Sequence, residues 1–146
     1  MPLAILRMGF VVVSNIAIST SVFGDFPRSD KPVFNRYEFW RHSVCVGIVA
    51  SILYETVSDF VKSKFARKNV HLAGIVHDIG KILFERYANV QFSQAVREAI
   101  AKNDSLLDHE QDHLGIGHHQ AVAYLAERWR LGEDIKALSR NKSSVF

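Results

Sequence analysis

The sequence predicts an all-α protein, a compact bundle of about six to eight helices. Apolar residues recur at spacings of three and four along most of the chain, which is the period of a helix face. No segment alternates apolar and polar residues as a half-buried strand does. The chain has 146 residues, of which 48% are hydrophobic, and this is enough for one domain with a sizeable core.

The N-terminal segment is predicted to form a helix that is apolar on two faces. A helix of this kind is normally buried on both sides, so it requires neighbours. Residues 24–32 contain a glycine and two prolines and indicate a loop. One face of the helix comprises Leu3, Leu6, Phe10, Val13 and Ala17, and the other comprises Ile5, Met8, Val12 and Ile16.

A long helix is predicted next, from about residue 36 to residue 65, with room for a break. Asn35 can cap its first turn, and Glu38 stands in the capping-box position three residues later. The apolar spacing predicts which side of this helix faces the core. That stripe comprises Phe39, Val46, Val49, Leu53, Val57 and Val61.

Shorter helices account for the rest of the chain. Gly80 is expected in a helix C-terminal or turn conformation, and Gly115 and Gly117 interrupt the helical pattern. In the helix that follows these two glycines, Val122, Leu125 and Trp129 are expected to face inward. The predicted segments are 69–77, 81–87, 93–102, a helix from residue 105, 118–129, and a last helix from residue 132.

Composition and charge exclude several function classes. The net charge is +3 with no cluster of five or more basic residues, so nucleic-acid binding is not expected. The one cysteine, Cys45, allows neither an intramolecular disulfide nor a cysteine-rich zinc site, and it is expected to be buried. Residues 8–22 carry no charge but are too few and too polar to span a membrane. A cytoplasmic protein is therefore expected.

Four residues could bind a metal ion: His42, His77, Asp78 and His118. Imidazole and carboxylate groups are the usual ligands of catalytic first-row metals, and side chains from different helices of a bundle can converge on its core. Histidines with a structural role are the alternative interpretation. Lys81 could contact a phosphate or could be a solvated lysine, and the remaining four histidines give no clear signal.

Several segments together resemble a known family. Residues 72–81, which contain His77-Asp78-Ile79-Gly80-Lys81, resemble the signature of the HD superfamily of metal-dependent phosphohydrolases. Residues 39–43 resemble the segment that supplies the first histidine of that superfamily. Residues 4–9 and 110–131 resemble the HD-related output domain (HDOD) in particular. The second segment contains a Gly-x-x-His that ends at His118 and a Trp-x-Leu that begins at Trp129.

The resemblance implies a bundle of the HD-domain type over residues 1–146, as a partial domain that lacks the family's first helices. It implies His42, His77, Asp78 and His118 as ligands of a divalent Fe, Mn, Mg or Zn ion, with Asp78 and Lys81 as the catalytic residues if the protein is active. The Gly-Tyr-Pro motif and extra histidines of the cyclic-dinucleotide phosphodiesterases are missing. The active HD enzymes also have a late aspartate ligand, and the context of Asp134 does not match it.

Three functions remain open at this point. A bacterial signalling module without turnover is favoured by the resemblance and the incomplete ligand set. The alternatives are a metal-dependent phosphohydrolase or phosphodiesterase and a sensor of a nucleotide or another small ligand. The doubly apolar N-terminal helix predicts a homodimer or a signalling protein partner, and neither nucleic acid nor membrane is expected as a partner.

Overall fold

The computed structural model describes residues 31–64 and 67–129, and within them every element of regular secondary structure is an α-helix. The predicted all-α class is confirmed. The described residues form seven helices, within the expected six to eight: α1 (Arg36–Thr56), α2 (Asp59–Lys64), α3 (Arg67–Val76), α4 (Ile79–Tyr87), α5 (Asn89–Lys102), α6 (Leu106–Leu114) and α7 (His118–Arg128).

The start of α1 follows from its capping residue, as predicted. Oδ1 of Asn35 accepts hydrogen bonds from the backbone N–H groups of Tyr37 at 2.9 Å and Glu38 at 3.4 Å, which satisfies two donors that the first turn leaves unpaired. The carboxylate of Glu38 pairs with Arg41 one turn further on. The helix ends at Thr56, and α2 begins at Asp59, so the anticipated break lies at residues 57–58.

The buried side of α1 differs from the predicted stripe. Phe39 is buried as predicted, but the other buried residues are Ser43 and Gly47, and Val49 and Leu53 are more than half exposed. The physical reason is close helix packing, because a Cβ atom added to Gly74 of α3 would lie 2.6 Å from the Cα of Gly47. Small residues permit this approach, and the larger aliphatic residues of α1 therefore lie on its other side.

Gly80 also differs from its prediction. It lies in the first turn of α4, where Asp78 is the N-cap residue, and not at a helix C-terminus. A Cβ atom on Gly80 would lie 2.1 Å from the carbonyl oxygen of His118. The glycine thus allows the start of α4 to approach the start of α7, and this approach brings Asp78 and His118 together.

The main core lies between α1, α3, α4 and α7, and α5 and α6 pack against each other beside it. Asn103, in the left-handed conformation with φ 52°, ends α5, and Gly115, with φ 74°, ends α6. Val122 and Leu125 of α7 are buried as predicted. Two other predictions are wrong, because Trp129 lies at the exposed end of the bundle and Cys45 lies on the exposed side of α1.

None of the helices in the described part of the chain is both long enough and apolar enough to cross a membrane. The predicted N-terminal and C-terminal helices, the first residues of the 24–32 loop and Asp134 lie outside the described residues.

Candidate functional site

The residues of the predicted metal site come from three separate parts of the bundle. His42 lies on the exposed side of α1, one residue before the buried Ser43. His77 and Asp78 form the short connection between α3 and α4, and His118 is the first residue of α7. We call these four residues the HD cluster.

The four side chains converge on the carboxylate of Asp78, as expected. Oδ2 of Asp78 lies 3.4 Å from Nε2 of His77 and 3.7 Å from Nε2 of His42. Its other oxygen, Oδ1, lies 3.4 Å from Nε2 of His118. The two nitrogens of His42 and His77 are 3.3 Å apart. Residues distant in sequence therefore place their polar atoms around one point, and their role as metal ligands stays a prediction.

The rings of His77 and His118 are each fixed by a hydrogen bond through Nδ1. Nδ1 of His77 donates to the carbonyl oxygen of Gly74 at 2.8 Å. Nδ1 of His118 donates to Oε2 of the fully buried Glu110 at 2.6 Å, and the same oxygen accepts the backbone N–H of His118 at 2.8 Å. Each ring therefore presents its Nε2 to the carboxylate of Asp78. Metal-binding histidines are commonly oriented in this way.

The spacing of the donor atoms fits a small divalent cation. Atoms that bind zinc tetrahedrally at about 2.0–2.1 Å lie about 3.3–3.4 Å from one another. The separations among His42, His77 and Oδ2 of Asp78 are 3.3, 3.4 and 3.7 Å. These three residues could therefore bind one ion after small adjustments, while His118 approaches the other oxygen of the carboxylate.

A lysine already neutralises the carboxylate of this cluster. Nζ of Lys81 lies 2.7 Å from Oδ2 of Asp78, the oxygen shared with His42 and His77. Burial by itself raises the pKa of Asp78, but the hydrogen bond with His77 and the charge of Lys81 outweigh it and hold the pKa well below its usual value. The carboxylate is therefore ionised at neutral pH.

Sequence reasoning missed Glu110, which orients His118 from the preceding helix. It also found no signal in His109 and His113, whose ring nitrogens lie within reach of Glu98 in a second group of metal-binding side chains. A histidine pair four residues apart on one helix was the available signal for that group. The same segment contains Glu110, but its sequence gave no indication that Glu110 would contact His118.

The fold and the HD cluster together define an HD-type helical domain, and the comparisons with known proteins agree. The family model of the HDOD domain matches residues 1–145. The chain therefore belongs to the HDOD domain family.

The chain is also similar to a crystal structure of an HDOD domain protein of unknown function from Geobacter sulfurreducens. The TM-score is 0.74 with 25% sequence identity, over 92% of this chain and 43% of that one. The chain thus spans less than half the length of that protein. A search among curated proteins gave no match.

Proposed function

We propose that this chain is a cytoplasmic regulatory module of bacterial signal transduction, which acts through protein contacts and without catalytic turnover. The observation that carries the proposal is the ion pair between Lys81 and Asp78 inside the HD cluster. Nζ of Lys81 lies 2.7 Å from Oδ2 of Asp78, the oxygen that His42 and His77 also approach. A metal ion bound there would have to displace Lys81 or share this oxygen with it.

The charges around Asp78 support the same conclusion. Within the described residues, Asp78 is the one carboxylate beside His42 and His77, and Lys81 balances its charge. Glu110 is directed toward the other side of His118, where its Oε2 accepts two hydrogen bonds. A divalent ion would add two positive charges to a cluster that is already close to neutral, which weakens its binding.

We expect no metal-dependent hydrolysis by the purified chain. The substrates are bis-p-nitrophenyl phosphate and cyclic dinucleotides, with Mn²⁺, Fe²⁺ or Zn²⁺ added. Wild type should hydrolyse them no faster than Asp78→Ala does, because Lys81 forms an ion pair with the only carboxylate of the described cluster. Turnover that Asp78→Ala abolishes while its circular dichroism spectrum stays unchanged would overturn the proposal.

The second candidate function is a metal-dependent phosphohydrolase, which the fixed orientation of His77 and His118 favours. In that case His42, His77, Asp78 and His118 would hold the ion, and the ion would activate water or polarise a phosphoryl oxygen. Lys81 would then contact the phosphate. Lys81→Gln separates the two functions, since it should strengthen metal binding without creating activity in a regulatory module and should reduce turnover in an enzyme.

The exposed side of α1 supports contact with a second copy of this chain. Ile48, Val49, Ile52 and Leu53 are 48–61% exposed and lie together on one face. No lysine, arginine, aspartate or glutamate occurs between Arg41 and Glu55. An uncharged apolar surface is best covered by another surface of the same kind, and two-fold dimers bring identical patches together.

We therefore expect a dimer at micromolar concentration in analytical ultracentrifugation and expect Ile52→Glu to dissociate it. Burial of one such side chain contributes about 1.5–3 kcal/mol, and a buried carboxylate without a partner adds a penalty, so the dimer should weaken at least about 100-fold.

The matched control is Ile100→Glu, which places the same charge at another exposed isoleucine, on α5. It should leave the dimer intact. A wild-type chain that sediments as a monomer, or equal effects of the two variants, would rule out this dimer surface and would favour a partner of different sequence.

A further inference from the structure

A second group of metal-binding side chains lies on the hairpin of α5 and α6 and shares no residue with the HD cluster. His109 and His113 lie four residues apart on α6 and therefore on one face of it. Glu98 faces them from α5. Its Oε1 lies 3.1 Å from Nε2 of His113, and its Oε2 lies 3.6 Å from Nδ1 of His109. We call these three residues the hairpin cluster.

His109 is the unusual member of this group. Its side chain is only 6% exposed, and among the described residues neither of its ring nitrogens has a hydrogen-bond partner. The nearest carboxylate oxygens, on Glu98 and Asp104, are 3.6 and 3.8 Å away, which is longer than a hydrogen bond to nitrogen. Buried polar groups are nearly always satisfied, and an ion is one way to satisfy such a group.

The position of the hairpin cluster allows an ion to enter from solvent. The side chains of His113 and Glu98 are 25% and 43% exposed, whereas His109 closes the inner side. Among the described residues, Lys102 is the lysine that pairs with this group, with its Nζ 3.2 Å from Oε2 of Glu98. It is largely exposed and can turn toward solvent, and Oε1 of Glu98 remains available beside His113.

Residues 109–113 also match the His-Glu-x-x-His pattern in which a glutamate activates water on zinc. Here Glu110 does not serve that purpose, because its carboxylate is buried and binds His118. The geometry therefore favours a site that binds an ion over a peptidase centre.

We propose that Glu98, His109 and His113 bind a divalent cation of the zinc class that connects α5 to α6. Two imidazoles and one carboxylate are an established set of zinc ligands. One ligand atom from each of the three residues lies within 4.8 Å of the others, and the two imidazoles lie 3.1 and 3.6 Å from the two oxygens of Glu98, so side-chain adjustment would bring all three residues onto one ion. Water would take the fourth position, because Asp104 lies beside the other ring nitrogen of His109.

The test is zinc binding by the full chain, measured by competition with a chromophoric zinc indicator. Because the HD cluster also contains histidine and carboxylate side chains that bind zinc, wild type is compared with one variant in each cluster. His113→Ala should remove one equivalent of bound zinc or weaken it more than about 100-fold, since loss of an outer-shell partner alone costs 10–100-fold. His42→Ala, which changes the HD cluster, should retain this equivalent.

Two further measurements check that the ion lies at the hairpin cluster. Zinc should raise the unfolding temperature of wild type and of Lys102→Gln clearly more than that of His113→Ala, and Glu98→Gln should weaken binding while the helical circular dichroism stays unchanged. If His113→Ala and Glu98→Gln bind zinc as wild type does, or if wild type binds none, the proposal is wrong and these residues form an ion-pair cluster only.

Discussion

Replacement of Arg36 by alanine is expected to lower the free energy of unfolding by about 3–5 kcal/mol. Glu85 on α4 is fully buried, and its Oε2 accepts a hydrogen bond from Nε of Arg36 at 2.8 Å. Its other oxygen accepts the backbone N–H of Val33 at 2.8 Å. Without Arg36 the carboxylate would stay buried with no opposite charge, and denaturation with urea, followed by circular dichroism, measures the loss.

Arg41→Ala is the matched control, on the same helix. Arg41 pairs with Glu38 at the surface, where both side chains are about half exposed or more, so its loss should cost less than about 1 kcal/mol. The double variant Arg36→Met with Glu85→Leu removes both charges and should recover more than half of the lost stability. Equal costs for Arg36→Ala and Arg41→Ala would contradict the buried pair.

Gly80→Ala should destabilise the protein by about 3 kcal/mol, at the upper end of the cost of overpacking. The added Cβ would lie 2.1 Å from the carbonyl oxygen of His118 and 2.8 Å from its carbonyl carbon. These are backbone atoms, so a rotamer change cannot relieve the clash and α4 must move away from α7. The shift of the urea midpoint measures this cost.

Gly115→Ala provides the comparison. No atom lies within 4 Å of a Cβ at that position, but φ is +74°, so the cost should be the strain of a left-handed alanine, about 1–2 kcal/mol. Gly115→Asn should cost less, because asparagine adopts this conformation more readily. A Gly80→Ala variant as stable as wild type would show that α4 and α7 do not approach so closely.

Local sequence signals predicted the helical class and several of the helix ends. Asn35 caps α1 through its own side chain, and Gly115 ends α6 through its left-handed backbone. Both effects act within a few residues, so a single sequence displays them. The His77-Asp78 pair was also recognisable, because its segment resembles a family signature, and HDOD membership is confirmed by the match over residues 1–145.

Only the tertiary structure decided which helix faces meet. The apolar pattern of α1 predicted Val49 and Leu53 in the core, but packing of Gly47 against Gly74 turned a face of small residues inward. Helical periodicity shows which faces of a helix are apolar. It does not show which of these faces another helix packs against, or how closely the two helices approach. For the same reason the sequence did not predict the contact of Glu110 with His118 or the approach of Glu98 to His113, since each joins side chains of different helices.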